Sequence, residues 1–177
     1  MNLPNALSLV RIFLVPVLVV FLIVVPRPYN LTAAAVFLAA VLTDWLDGRI
    51  ARSMRQVTTL GKLLDPVADK LLISASLISL VQVGRVPAWM VVLIVGRDLA
   101  ITGLRGIAAS QNVVIQSSDF GKATMTAEVI AVALLIVNWP PFSVPLGQAV
   151  LAVAILLSLA SGVAYFRKFW RRIDLAK

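Results

Sequence analysis

The stretch Leu7-Ser-Leu-Val-Arg11-Ile-Phe-Leu-Val-Pro16-Val-Leu-Val-Val-Phe-Leu-Ile-Val-Val25 holds 19 residues, of which Arg11 alone is charged. At the helical rise per residue it covers roughly 28 Å, close to the roughly 30 Å hydrocarbon thickness of a bilayer. Five further apolar stretches of similar length follow, so spans are expected at 7–25, 31–50, 62–82, 87–107, 120–138 and 146–166. The breaks carry turn-forming residues: Pro26-Arg27-Pro28, Gly84 to Pro87, and Trp139-Pro140-Pro141. The expected fold class is an all-α membrane protein of six transmembrane helices, forming one integral-membrane domain over 1–177. Before the first span Leu3, Leu7 and Val10 alternate with Asn2, Asn5 and Arg11, which suits a short N-terminal interfacial helix. Pro4 and Arg11 without a basic leader argue against a cleavable signal peptide.

Composition supports lipid as the solvent. Hydrophobic residues make up 60% of the 177, and the mean hydropathy of +0.98 exceeds what a soluble core needs. Cysteine and histidine are both absent, which excludes thiolate nucleophiles, disulfides, imidazole bases and the common nitrogen or sulfur metal sites. Catalysis is left to carboxylates, Lys, Arg and hydroxyls. The net charge of +8 sits between apolar runs, so membrane lipid, and not nucleic acid, is the expected partner.

The placement of the basic residues sets an orientation. Arg11, the group Arg49, Arg52, Arg55 and Lys62, the pair Arg105 and Lys122, and the tail residues Arg167, Lys168, Arg171, Arg172 and Lys177 fall on one side, against Arg27 and Arg85 on the other. Cytoplasmic loops retain positive charge, so both termini and the two basic loops are expected in the cytoplasm. Trp89, Trp139 and Trp170 lie near span ends, where an indole anchors in the interface.

Only eight residues are acidic, yet Asp44, Asp47, Asp65 and Asp69 fall at the ends of spans two and three. One carboxylate in mid-membrane costs about 2.5–3.5 kcal/mol on insertion scales, so four together require cations and water access. Asp44 and Asp47 are three apart and Asp65 and Asp69 four apart, which puts each pair on one helix face. A hairpin of the two helices can then aim four carboxylates at one point. Oxygen-only ligands favour Mg²⁺ or Mn²⁺, and two such ions about 3.5–4 Å apart form the usual clamp for phosphoryl transfer. Gly48, Ala51 and Gly61 leave room beside the acids, and Arg52 can bind a phosphate. Two other readings start from the same residues. One is a small-residue packing seam with Asp–Arg pairs, which leaves four aspartates unexplained. The other is a divalent-cation transporter, which has no need of Gly48, Ala51, Arg52 and Gly61.

The run Asp44-Trp-Leu-Asp47-Gly48-Arg-Ile-Ala51-Arg52, eight residues, then Gly61-Lys-Leu-Leu-Asp65-Pro-Val-Ala-Asp69 resembles the signature of the CDP-alcohol phosphatidyltransferase family at every defining position. The resemblance implies a six-helix homodimer with an active site open to the cytoplasm. It implies Asp44, Asp47 and Asp65 as metal ligands, and Asp69 as the base for the acceptor hydroxyl and a further ligand. Gly48, Ala51, Arg52 and Gly61 would surround the CDP part of the lipid substrate, CDP-diacylglycerol. A bacterial inner (cell) membrane is the expected location.

The acceptor is to be chosen by the second half of the chain. In Gly96-Arg-Asp-Leu-Ala-Ile-Thr-Gly-Leu-Arg105, Arg97 and Arg105 share a broad helix face and suit a phosphorylated alcohol such as glycerol 3-phosphate. The competing account is an Arg97–Asp98 pair with an interfacial Arg105. This run, Leu64-Asp-Pro-Val-Ala-Asp-Lys70 and Asn2-Leu-Pro-Asn-Ala-Leu-Ser-Leu-Val-Arg11 are similar to the bacterial branch of the family that makes phosphatidylglycerophosphate. That branch carries Gly-Lys-x-Lys-Thr after span four, whereas here Gly121-Lys122 precedes Ala123, Thr124 and Met125, so Lys122 alone keeps the match. Glu128 is an intramembrane acid with either a packing or a site role. Phosphatidylglycerol, as in cardiolipin synthesis, or an inositol phosphate are the alternative acceptors.

Overall fold

Among the described residues six helices follow one another: α1 (Leu3–Ile23), α2 (Leu31–Ser53), α3 (Thr59–Gln82), α4 (Ala88–Ser110), α5 (Asp119–Val137) and α6 (Ser143–Asp174). The computed structural model describes residues 3–25, 30–53, 59–110 and 119–174, with the side chains at 3–5, 45, 47–53, 59–65, 119, 168 and 171–174 outside that description. Asn2, Pro26, Arg27, Pro28, Arg55 and Lys177 also lie outside the described residues. Among the described residues there is no strand.

The expected spans fall on these helices, but the short interfacial helix is not a separate element. Leu3 to Ile23 run as one helix, because nothing between Asn5 and Leu7 breaks the ladder and Pro4 sits in the first turn, where a missing N–H costs nothing. Among the described residues three helices, α1, α5 and α6, are long and apolar enough to cross a membrane. The apolar part of α2 is shorter, Leu31–Asp44. The residues proposed from the sequence for the chemistry lie on α2, α3 and α4, with Lys122 on α5.

Why the helices end where they do is visible in their caps. Asn30 accepts from the Ala33 N–H at 3.1 Å and donates to the Phe21 carbonyl at 2.8 Å, so one side chain starts α2 and ties it to α1. Gly84, at φ 73°, closes α3: its N–H bonds the Val81 carbonyl at 3.0 Å and the Arg85 N–H bonds the Leu80 carbonyl at 2.9 Å. Arg85 then donates to the Leu135 and Ile136 carbonyls at 3.0 and 2.9 Å, satisfying the otherwise orphaned end of α5. Gln148 donates back to the Arg85 carbonyl at 2.8 Å. One end of the bundle is thus stitched by polar side chains, and the aspartates lie toward the other.

The helices share one main core, with Leu18, Phe37, Leu77, Ile94, Leu135 and Leu151 among its fully buried members. A smaller cluster of Ile101, Ala108, Tyr165 and Phe169 joins the later turns of α4 and α6. Every helix also exposes large apolar side chains, such as Phe13, Leu38, Ile78, Val92, Ile130 and Leu156. An apolar outer belt of this extent is what a lipid-facing surface requires. α1 packs against both α2 and α3, and α5 lies along α6. Among the described residues α2 and α3 touch each other only sparingly, so the expected hairpin is bridged by α1.

Candidate active site

The bridge is polar at its most important point. Arg11 of α1 is fully buried, and its Nη1 donates to Oδ1 of Asp44 at 2.8 Å and to Oδ1 of Asp69. Their side chains are 33% and 23% exposed, so the two carboxylates meet at an opening while the guanidinium lies behind them. A buried charge persists only when paired and hydrogen-bonded. Asp44 and Asp69, on different helices and 25 positions apart in sequence, therefore converge on one nitrogen.

Asp47 and Asp65 stand one turn further toward the same end of α2 and α3, and their side chains lie outside the described residues. The same holds for the side chains of Ala51 and Arg52 and for the surroundings of Gly48 and Gly61. Among the described residues no group of three or more acids is placed to hold a metal. The carboxylates that are described fit a hard divalent cation by donor type, and they already gather around a positive charge.

Asp69 opens onto a cavity of about 310 Å³ that runs between α3, α4 and α5. Lys70, Arg97, Arg105 and Glu128 line it as well, so residues proposed from two separate stretches share one space. Arg97 is held on three sides. It pairs with Asp98 at 2.8 Å, donates through Nε to the Ser158 carbonyl at 3.3 Å and through Nη2 to Ser161 Oγ at 3.1 Å. The Arg97–Asp98 pair weighed from the sequence is therefore present, and the same arginine still lines the cavity. Arg105 is exposed, with its guanidinium 6.0 Å from the centre of the Tyr165 ring, and it has no carboxylate partner among the described residues. Lys122 is exposed beside Gly121, and Gly121 is the one of the two that lines the cavity.

Two contributors were not singled out by sequence reasoning. Lys70 donates to the Asp98 carbonyl at 3.0 Å and to the Thr102 hydroxyl, adding a third cation to the cavity wall. Arg11 entered the sequence reading through orientation, the interfacial pattern, the argument against a leader and the family resemblance, and not as a site residue. Its isolation within an apolar run was the available clue, because an intramembrane arginine normally faces the bundle interior and a partner.

A family model described as CDP-alcohol phosphatidyltransferase matches residues 1–160. A Bacillus subtilis (strain 168) CDP-diacylglycerol--glycerol-3-phosphate 3-phosphatidyltransferase is 40% identical, over 97% of this chain and 97% of its own. A Pseudomonas fluorescens protein of the same name is 35% identical over 96% of this chain and 91% of its own. An Arabidopsis thaliana protein, numbered 2 under that name, is 37% identical over 96% and 80%.

Proposed function

The chain belongs to the CDP-alcohol phosphatidyltransferase family, and on that premise we propose that it moves the phosphatidyl group of CDP-diacylglycerol onto glycerol 3-phosphate, releasing CMP. The observation that carries the reading is a carboxylate, Asp69, held by Arg11 at the mouth of a cavity whose other walls carry Lys70, Arg97 and Arg105. That arrangement suits an anionic acceptor delivered to a base.

Asp44, Asp47 and Asp65, with Asp69 as a further ligand, would hold Mg²⁺ or Mn²⁺, two ions in all. Such ions would supply charge neutralisation and polarisation at the diphosphate when bound. Gly48, Ala51 and Gly61 leave space for the CDP group, and Arg52 pairs with its phosphates. Arg105 and Lys122 draw in the acceptor phosphate, while Arg97, fixed to α6, forms the rigid side of its pocket. Asp69 takes the proton of the acceptor hydroxyl as that oxygen attacks the β-phosphorus. The bond from the β-phosphorus to the bridging oxygen breaks, and CMP leaves with that oxygen. Arg11 keeps Asp44 and Asp69 in register and offsets one of the negative charges gathered there.

The same reading takes the chain as a single domain of six crossings, with the first turns of α1 at the interface. Both termini and the active site face the cytoplasm of a bacterial inner membrane, and two copies pair as a homodimer. A direct test supplies purified protein with CDP-diacylglycerol, Mg²⁺ and a panel of alcohols. CMP release with glycerol 3-phosphate, giving phosphatidylglycerophosphate, is the expected result. Product formed only with phosphatidylglycerol or an inositol phosphate reassigns the acceptor, and metal flux into liposomes without CMP release favours transport.

A further inference from the structure

Glu128 of α5 is 5% exposed, lines the cavity that holds Asp69, and its Oε1 has no hydrogen-bond partner among the described residues. A buried carboxylate oxygen left unpaired is costly, so such a group in a ligand-sized space points to a donor that arrives with the ligand. The nearby cations do not supply it: Arg97 is committed to Asp98, Ser158 and Ser161, and Lys70 to the Asp98 carbonyl and Thr102. A phosphate is repelled by Glu128, which directs the anionic end of the acceptor toward Arg105. What remains is a neutral O–H donor.

The geometry points to Glu128 as a specificity residue that accepts a hydrogen bond from the hydroxyl of the acceptor that does not react. The occupant is a phosphorylated polyol held at three places: phosphate at Arg105, reacting hydroxyl at Asp69, and the middle hydroxyl at Glu128. This assignment rests on the acceptor reading given above and adds the requirement for a second hydroxyl. Sites that hydrogen-bond a substrate hydroxyl reject the analogue lacking it, because their own polar group is then left unpaired.

The test compares glycerol 3-phosphate with 3-hydroxypropyl phosphate, which lacks only the middle hydroxyl, by CMP release from CDP-diacylglycerol. Wild-type kcat/KM is expected to favour glycerol 3-phosphate by about 10–100-fold, the range for a hydrogen bond to a charged group. Glu128→Leu is expected to bring the two acceptors to near parity by lowering the glycerol 3-phosphate value, while Glu128→Gln, which keeps an accepting oxygen, retains most of the preference. Equal use of both acceptors by the wild type overturns the assignment even if no variant folds, as does a Glu128→Leu protein that keeps the full preference. No CMP release with either three-carbon phosphate overturns the acceptor reading itself, and this inference with it.

Discussion

Replacing Arg11 with alanine removes the only described group that touches both Asp44 and Asp69. Breaking a buried ion pair costs about 3–5 kcal/mol, because the partner charges stay behind. Here the two carboxylates keep 33% and 23% of their exposure, and water reaching them offsets part of the loss. The low end, about 3 kcal/mol, is therefore expected. For a chain of this size that corresponds to a fall of about 6–12 °C in the unfolding temperature. Thermal unfolding in detergent, read beside CMP release at a temperature where the variant is folded, separates stability from catalysis. Turnover is expected to fall as well, since Asp69 loses the contact that orients it. Arg11→Lys keeps the charge but lacks the fork, so it recovers stability more fully than turnover. An alanine variant that unfolds at the wild-type temperature and releases CMP at the wild-type rate refutes the role given to Arg11.

Further expectations follow from other contacts. A Cβ at Gly147 stands 2.7 Å from Leu135 Cγ, so Gly147→Ala is expected to push α6 off α5 at a cost of about 1–3 kcal/mol, seen as a lower unfolding temperature. Asn30→Ala removes the α2 cap and its tie to Phe21, and about 1 kcal/mol of stability should go with it while turnover per folded molecule is unchanged. Asp69→Asn should still bind CDP-diacylglycerol yet release no CMP, whereas Asp44→Asn should lose metal-dependent binding too. Equal and mild effects of these last two, measured by lipid binding and CMP release, contradict the division of labour between them.

The positions of the helices were legible because each falls on an apolar stretch of about helix-span length bounded by turn-forming residues. Expected and observed limits differ by a few residues, most at α6, which continues past 166 through Arg167 to Asp174. Helix partners were less legible. Periodicity places Asp44 and Asp69 on faces of their own helices, but nothing in it reveals that α1 wedges between α2 and α3. Arg11 carried that information as a charge with no evident reason to be in an apolar run. Arg97, Arg105 and Lys122 were the residues proposed for the acceptor phosphate, and the fold places the two arginines differently: Arg97 is bound to α6, while Arg105 is exposed. Lys70 and Glu128 lie on helices far from that pair in sequence, and only packing brings them to the same cavity.

Asp44, Asp47, Asp65 and Asp69 are proposed to gather around divalent cations. Titrating Mn²⁺ into the purified protein and following the free ion by electron paramagnetic resonance measures this without any assumption about the acceptor. Saturable binding in the wild type, weakened strongly in Asp44→Asn, Asp47→Asn and Asp65→Asn alike, is the predicted result. Folded variants that all bind Mn²⁺ as the wild type does contradict it.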